Sequence, residues 1–335
     1  MKERQRWIAA VAGLALTGAV ATPGPALAQS SSPAAAQTEV QQAQAPAPSP
    51  AQPAQGQTPG TAAPAAPAEP PGPNTGRLSL TGGTDWASAY YFRGIATIQN
   101  GGNNLQPYAE IGFRLLENKG PLTSLSVAPG IWTNLHTGGG LLVPPSDPKG
   151  WTETDFYFKV SAVWWEVLTT SATFTYYTSP NNTFASNSDM GLGFSLNDSK
   201  WLGAFALNPS ILFAFETTGE ALVADGKKGI YMQLGFAPGY TFFAESAYPT
   251  SISLPMTFGW SLKDYYTVNG ENQTFGYFSW GPLITMPLKF IPANFGSWSV
   301  KAGVQFLVLN TNLKKVNTGG DAFVPIGSVG LALTY

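Results

Sequence analysis

Apolar residues alternate with small or polar residues along most of this chain, from about residue 77 onward. In the segment 298–308 every even-numbered residue is apolar, and the residues between them include Ser299, Lys301 and Gly303. Successive side chains of a β-strand point to opposite faces, so a period of two gives a strand one apolar face and one small or polar face. The pattern therefore predicts an all-β chain.

Turn-rich gaps divide this pattern into twelve predicted strands, with ten or fourteen as the alternatives. The connections that follow odd-numbered strands are long and rich in Gly, Asn, Lys and Asp, whereas several that follow even-numbered strands, such as 117–121, are short. That asymmetry is typical of outer-membrane barrels, whose long loops lie outside the cell. The predicted strands cover residues 78–92, 104–116, 122–134, 153–166, 169–178, 188–197, 202–216, 229–243, 250–262, 273–287, 297–309 and 323–335.

Composition favours a membrane barrel over a soluble β-sandwich. Charged residues make up 11% of the chain, against about 25% in soluble domains. After residue 28 no segment approaches the ~18–20 consecutive apolar residues that a membrane helix needs. A closed sheet satisfies its backbone polar groups in lipid without such helices. We therefore expect a closed antiparallel transmembrane β-barrel in the outer membrane of a Gram-negative bacterium.

The chain before the barrel is predicted to have two parts. Residues 1–28 are typical of a signal peptide, with a basic start, an apolar stretch and the cleavage motif Ala26-Leu27-Ala28. Residues 29–76 are mostly Pro, Ala, Gln and Ser, a composition that favours a disordered periplasmic tether. The tether is either an inert linker or a contact to peptidoglycan or a periplasmic partner. The barrel then covers residues 77–335.

The expected partners follow from the barrel prediction. Its outer surface should contact outer-membrane lipid. The last strand alternates and ends in the aromatic residue Tyr335, which resembles the signal that the barrel-insertion machinery recognises. The net charge is −2 and no basic patch stands out, so no nucleic acid is expected. No pattern indicates an oligomeric state.

The period of two also predicts which charged residues face the barrel interior. A charge on the lipid face near the membrane midplane is unfavourable by about 2–4 kcal/mol for Arg or Lys, so an inward position is preferred. Two interpretations remain open: the charges line a water-filled pore, or they pair across strands and plug it. The candidate lumen and constriction residues are Asp85, Arg93, Glu110, Arg114, Asp155, Lys159, Asp189 and Lys301.

Two connections bear on those interpretations. Arg93 lies where the first predicted strand meets its loop, and it is either a constriction residue or a strand-end residue followed by a turn at Gly94. The connection 135–152 is the loop expected to fold inward.

The composition leaves little room for catalysis. The chain has no cysteine and one histidine, His136, so cofactors and clustered-ligand metal sites are not expected. Ser146 and Asp147 lie in the same loop as His136, but no nucleophile motif surrounds any serine. We therefore do not expect an enzyme.

Four short segments resemble the TorF-like porin family. Residues 84–95, with the sequence TDWASAYYFRGI, resemble its first strand, and 105–112 resemble its second. Residues 153–157 resemble the acidic start of its fourth strand, and 176–180 resemble a Tyr-rich strand that ends near proline. The family has no established reaction, so the resemblance implies transport across 77–335 without naming a solute.

The expected function is a porin-like channel for passive diffusion of small hydrophilic solutes or ions. The alternative is a structural or adaptor barrel with a plugged lumen, whose tether or loops engage a partner. A third alternative is an outer-membrane enzyme, such as a lipid hydrolase, at the outer mouth.

Overall fold

The computed structural model describes residues 77–98, 103–137, 150–219, 227–243, 246, 248–317 and 320–335. The predicted signal peptide and tether, and most of the loop 135–152, lie outside these residues. In the described part of the chain, no helix is long and apolar enough to cross a membrane.

The described strands form one closed antiparallel sheet of twelve positions. The barrel strands are β1 (Leu78–Ala87), β4 (Asn104–Lys119), β5 (Leu122–His136), β6 (Gly150–Trp164), β7 (Leu168–Thr178), β8 (Asn187–Leu196), β9 (Ser210–Thr218), β10 (Ile230–Phe236), β11 (Gly239–Phe242), β12 (Thr250–Ser253), β13 (Met256–Lys263), β16 (Phe275–Trp280), β17 (Leu283–Pro287), β18 (Ser297–Leu309) and β19 (Phe323–Thr334). Strand β19 pairs with both β18 and β1, which closes the barrel. Three positions consist of two segments each, namely β10 with β11, β12 with β13, and β16 with β17.

A proline lies at each of the three broken positions. Pro238, Pro255 and Pro282 each lie between the two segments of one position. Proline has no backbone N–H to donate to the ladder and locks its own φ angle, which favours a break. Pro107, Pro129 and Pro325 nevertheless lie within continuous strands. Backbone bonds still join neighbouring strands beside the breaks, as from Leu254 N to Pro238 O at 2.8 Å.

The alternating residues form two faces of the barrel wall, an apolar outer face and an inner face with both polar and aromatic side chains. On β6, Phe156 and Phe158 are 50% and 46% exposed, whereas Tyr157 between them is buried. Large exposed apolar side chains recur on every side of the barrel. A closed barrel with such an outer surface is suited to lipid and not to water.

Two predicted strand segments are wrong. Residues 202–209 are not a strand: the chain forms a short helix α1 (Ser199–Leu202) and a 3₁₀ turn (Gly203–Phe205), and β9 starts only after Pro209. The first strand ends at Ala87 rather than at residue 92. The residues that follow form a separate hairpin of β2 (Tyr90–Phe92) and β3 (Ile95–Ile98).

Three connections at the end with the long loops pack together inside the barrel. They are the hairpin β2–β3, the hairpin of β14 (Thr267–Val268) and β15 (Glu271–Asn272), and helix α2 (Thr311–Val316). Their apolar side chains share one buried cluster with inward residues of the barrel wall. We call these three segments the mouth plug. The opposite end of the barrel, where β1 begins and β19 ends, is the termini end.

Candidate functional site

The tip of hairpin β2–β3 carries Arg93 into the barrel interior. Phe92 pairs with Ile95, so the turn between them has only two residues, Arg93 at φ 45° and Gly94 at φ 84°. Two successive positive φ angles define a type I′ turn, in which the first position normally favours Asn, Asp or Gly. An arginine there is strained, so the contacts of its side chain must hold it in place.

Those contacts surround the guanidinium of Arg93. It lies 2.9 Å from Asp189 Oδ2 and donates to the Tyr265 hydroxyl at 3.0 Å. The ring of Tyr231 lies 4.6 Å from its central carbon, within cation–π range. Tyr177 donates a second bond to Asp189 Oδ2 at 3.1 Å. The charge is therefore both paired and enclosed by aromatic rings.

Hydrogen bonds and packing join the segments of the mouth plug to each other. Asn317, directly after α2, accepts from Ala96 N at 2.8 Å and donates to Gly94 O at 3.1 Å. Tyr266 donates to Arg93 O at 2.8 Å. A Cβ atom at Gly94 would lie 2.7 Å from a methyl of Leu313, so only glycine fits this approach. The plug is thus one packed unit.

A second charge pair crosses strand β5. Lys159 on β6 lies 2.6 Å from Glu110 on β4. The residues of β5 in register with these two are small, Ala128 opposite Lys159 and Gly130 opposite Glu110. The small side chain of Ala128 leaves space for Lys159 to reach over the intervening strand, whereas the ring of Tyr157 lies over Gly130.

A third pair crosses strand β19 in the same manner. Asp85 on β1 and Lys301 on β18 both lie in register with Gly330 of β19, and their charged groups are 2.9 Å apart. A Cβ atom at Gly330 would overlap Asp85 Oδ1 and lie 2.6 Å from Lys301 Cε. The glycine therefore makes the pair possible.

Gly330→Ala is expected to separate Asp85 from Lys301 and to lower the free energy of unfolding by about 1–3 kcal/mol, the usual range for overpacking. Urea titration of the folded barrel measures the change. Gly327→Ala on the same strand is the control, because a Cβ atom there meets nothing within 4 Å. Equal effects of the two variants would contradict the proposed crowding.

Asp155 and Arg114 have different surroundings from the other candidates. Asp155 is fully buried on β6, two residues from Glu153, which is also fully buried. Arg114 is half exposed towards the termini end and pairs with Glu117 on its own strand. It therefore lies outside the buried network that holds Arg93.

An exposed ion pair occurs in the turn region at the termini end. Lys200 lies 2.8 Å from Glu166, and this hydrogen bond lowers the pKa of the Glu166 carboxyl. Both side chains are exposed, so the pair adds little to stability.

The interior changes character from one end of the barrel to the other. Near the mouth plug the inward side chains are large, including Trp132, Tyr177 and Tyr231, and all are buried. Towards the termini end many inward side chains are small or polar. One register row of small, mostly polar residues passes through eight adjacent strand positions at Ser124, Val163, Thr169, Ser195, Ser210, Gly235, Thr257 and Ser279. Gly235 and Ser279 are buried, and the other six residues of this row are half-buried.

The tyrosines around Arg93 were missed by sequence reasoning. Tyr265 and Tyr266 follow a strand end, where aromatic residues are usually assigned to the membrane interface. Their proximity to Arg93, 172 and 173 residues away in the chain, depends on a loop that folds inward. No local pattern in the sequence marks such a loop.

His136 lies at the end of β5 and is 2% exposed, with its ring against the Thr152 hydroxyl. It is therefore a buried residue at a strand end and not, as predicted from the sequence, a residue of the loop. Within the described ranges, no three His, Cys, Asp or Glu side chains come together as a metal-ligand set.

Comparisons with known proteins find similarity in solved structures only. No protein-family model matches the chain, and no curated protein matches it. The COG4313 outer membrane channel from Pseudomonas putida F1 has a TM-score of 0.44 and 10% identity, over 80% of this chain and 100% of that one. The NanC porin has a TM-score of 0.37 and 10% identity, over 76% and 98%.

The β domain of the Bordetella autotransporter Brka has a TM-score of 0.39 and 9% identity, over 78% of this chain and 99% of that one. At these scores and identities the similarity carries no information on a substrate or an activity. The TorF-like family stays a resemblance.

The membrane assignment follows from the barrel itself. A closed antiparallel sheet leaves no unpaired edge, and its outer face is apolar. That combination is the architecture of bacterial outer-membrane proteins. The protein is an outer-membrane barrel.

Proposed function

We propose that this barrel is a porin-like channel for the passive diffusion of small hydrophilic solutes or ions. The supporting observation is the small, mostly polar lining of the interior towards the termini end. Such a lining suits water and hydrated solutes, and it leaves more space than bulky side chains would. The network around Arg93 and the mouth plug form the narrowest part of the path.

The inward charges then set the ion preference of the channel. Arg93, Lys159 and Lys301 each pair with one carboxylate, so these three pairs add no net charge to the interior. Removing one basic partner would leave a carboxylate facing the path. Charged rings of one sign bias permeation towards ions of the opposite sign.

Single-channel recording of the full chain in a planar bilayer tests the proposal. We expect stable conductance steps, and we expect Lys159→Ala to shift the reversal potential towards cation selectivity because Glu110 loses its partner. Lys200→Ala is the control, because the exposed Lys200–Glu166 pair lies at a turn beyond the strands. A barrel shown to be folded, but without conductance, would contradict the channel.

The second proposal is an adaptor barrel with a closed lumen, and the packing of the mouth plug favours it. Phe92, Ile95 and Leu313 are almost completely buried. Capture of one periplasmic protein or of peptidoglycan by the chain, but not by a variant that lacks residues 29–76, would support the adaptor. We propose no enzymatic activity.

Two partner proposals rest on the sequence pattern alone. The barrel-insertion machinery would recognise the last strand through Tyr335, and the tether would contact peptidoglycan or a periplasmic protein.

A further inference from the structure

Two carboxylates of the interior have no basic partner. Glu153 and Asp155 are both fully buried, yet no salt bridge in the described part of the chain involves either residue. The nearby guanidinium of Arg93 is already paired with Asp189. Two uncompensated charges in an apolar interior are strongly unfavourable, so this pair of carboxyl groups must either hold a proton or bind a counter-ion.

The oxygen atoms of these carboxylates lack hydrogen-bond donors. Glu153 Oε1 and both carboxylate oxygens of Asp155 are buried without a donor in contact, while Tyr90 donates to Glu153 Oε2 at 3.3 Å. The two residues are two positions apart on β6, so their side chains lie on the same face of the strand. Three acceptor atoms are thus buried on one face without a donor.

An amide oxygen beside them is also without a donor. Asn134 on β5 is directly paired with Glu153 on β6, so their side chains leave the sheet on the same face. Asn134 is completely buried, and its Oδ1 atom has no hydrogen-bond partner. Its amide nitrogen is oriented elsewhere, towards Asn104 Oδ1. This neutral residue therefore points to a ligand independently of the two acids.

We propose that Glu153, Asp155 and Asn134 bind one divalent cation of the Ca²⁺ or Mg²⁺ class. Carboxylate and amide oxygens are the ligands that these hard cations prefer. One divalent ion neutralises both carboxylates. Water molecules complete the coordination shell, as is usual for these ions.

The site is connected to the mouth plug. Tyr90, which donates to Glu153, is the first residue of hairpin β2–β3, and its ring lies 5.3 Å from the ring of Trp132. Trp132 is in turn directly paired with Asp155. A bound cation would therefore hold the base of the hairpin that carries Arg93. This inference does not depend on whether the barrel conducts.

Terbium luminescence tests the site in the full chain, purified in a non-ionic detergent. Tb³⁺ substitutes for Ca²⁺ and emits when a neighbouring aromatic ring transfers excitation to it, and Trp132 and Tyr90 are next to the site. We expect one sensitised Tb³⁺ per chain, displaced by CaCl₂. Folding is checked independently by the heat-dependent shift in gel migration that intact barrels show.

Three variants separate this site from other carboxylates. Glu153→Gln and Asp155→Asn keep the shape of the side chain and should abolish the signal, and Asn134→Ala should weaken binding by about 10-fold or more, the lower end of what even outer-shell partners contribute. Glu117→Gln, an exposed carboxylate, is the matched control and should bind as the unchanged chain does.

Thermal unfolding gives a second readout. With EDTA, Glu153→Gln should unfold at a higher temperature than the unchanged chain, since a buried repulsion is removed, and it should lose the stabilisation by CaCl₂. A folded unchanged chain without sensitised emission would overturn the proposal, as would binding that persists in both Glu153→Gln and Asp155→Asn. A stability that responds to pH and not to CaCl₂ would also overturn it, because the two carboxyls would then share a proton.

Discussion

Arg93→Ala is expected to destabilise the mouth plug more than any other single charge removal in the barrel. The side chains of Arg93 and Asp189 are 8% and 4% exposed, so the variant leaves a buried carboxylate without its partner. Breaking one side of a buried pair is unfavourable by about 3–5 kcal/mol. The strained positive φ at residue 93 would also lose the contacts that hold it.

Urea unfolding followed by tryptophan fluorescence measures this change, with Arg114→Ala as the control. Arg114 and Glu117 are 50% and 46% exposed, and such pairs contribute about 0–1 kcal/mol. Adding Asp189→Asn to Arg93→Ala should recover part of the loss, because the unpaired charge is then gone. Equal losses in Arg93→Ala and Arg114→Ala would show that the buried pair does not hold the plug.

The same variant connects stability to transport. If the plug is the narrowest part of the path, Arg93→Ala should raise the single-channel conductance or the frequency of opening. An unchanged record from a destabilised plug would place the narrowest part elsewhere.

Leu313→Ala is the second change with a large expected effect. Leu313 is completely buried in helix α2 and packs against Gly94 of the hairpin. Its backbone N–H also donates to Asn310 Oδ1 at 2.7 Å, and this bond caps the start of the helix. Truncating a buried leucine lowers the free energy of unfolding by about 2–5 kcal/mol, because a cavity is left behind.

Hydrogen exchange at residues 311–317 and in hairpin β2–β3 measures the effect locally. Both segments should exchange faster in Leu313→Ala, since they pack against each other. Leu262→Ala is the matched control, the same truncation at a half-exposed position on the barrel wall, and it should leave exchange in the plug unchanged. Faster exchange confined to α2 would contradict the packing of the plug as one unit.

Much of the barrel wall could be predicted from the sequence. Each strand has one face in lipid and one inside, so apolar and polar residues alternate along it with a period of two. This alternation is visible in the sequence whatever the register of the strand with its neighbours. The twelve positions and most strand ends were predicted for that reason. The wrong strand predictions at 88–92 and 202–209 have a common cause. Aromatic and apolar residues that pack in a plug or a turn are the same residue types that a strand contains, so the sequence pattern does not distinguish them.

The candidate site was only partly predictable. Parity identifies Asp85, Glu110, Lys159 and Lys301 as inward residues, but it does not choose their partners. Glu110 and Lys159 are 49 residues apart in the chain, and Asp85 and Lys301 are 216 apart. Each pair also depends on a small residue in the strand between its members.

By itself, the sequence determined the fold class, the membrane environment and which residues of each strand face inward, because all three depend on the local alternation of side chains. The tertiary structure alone decided that three connections fold into the barrel, that Arg93 meets Asp189 there, and that Glu153 and Asp155 are buried without a basic partner. These features depend on sheet closure and strand register, which bring together groups that are far apart in the chain. Local sequence patterns do not indicate which residues that are far apart in the chain come into contact.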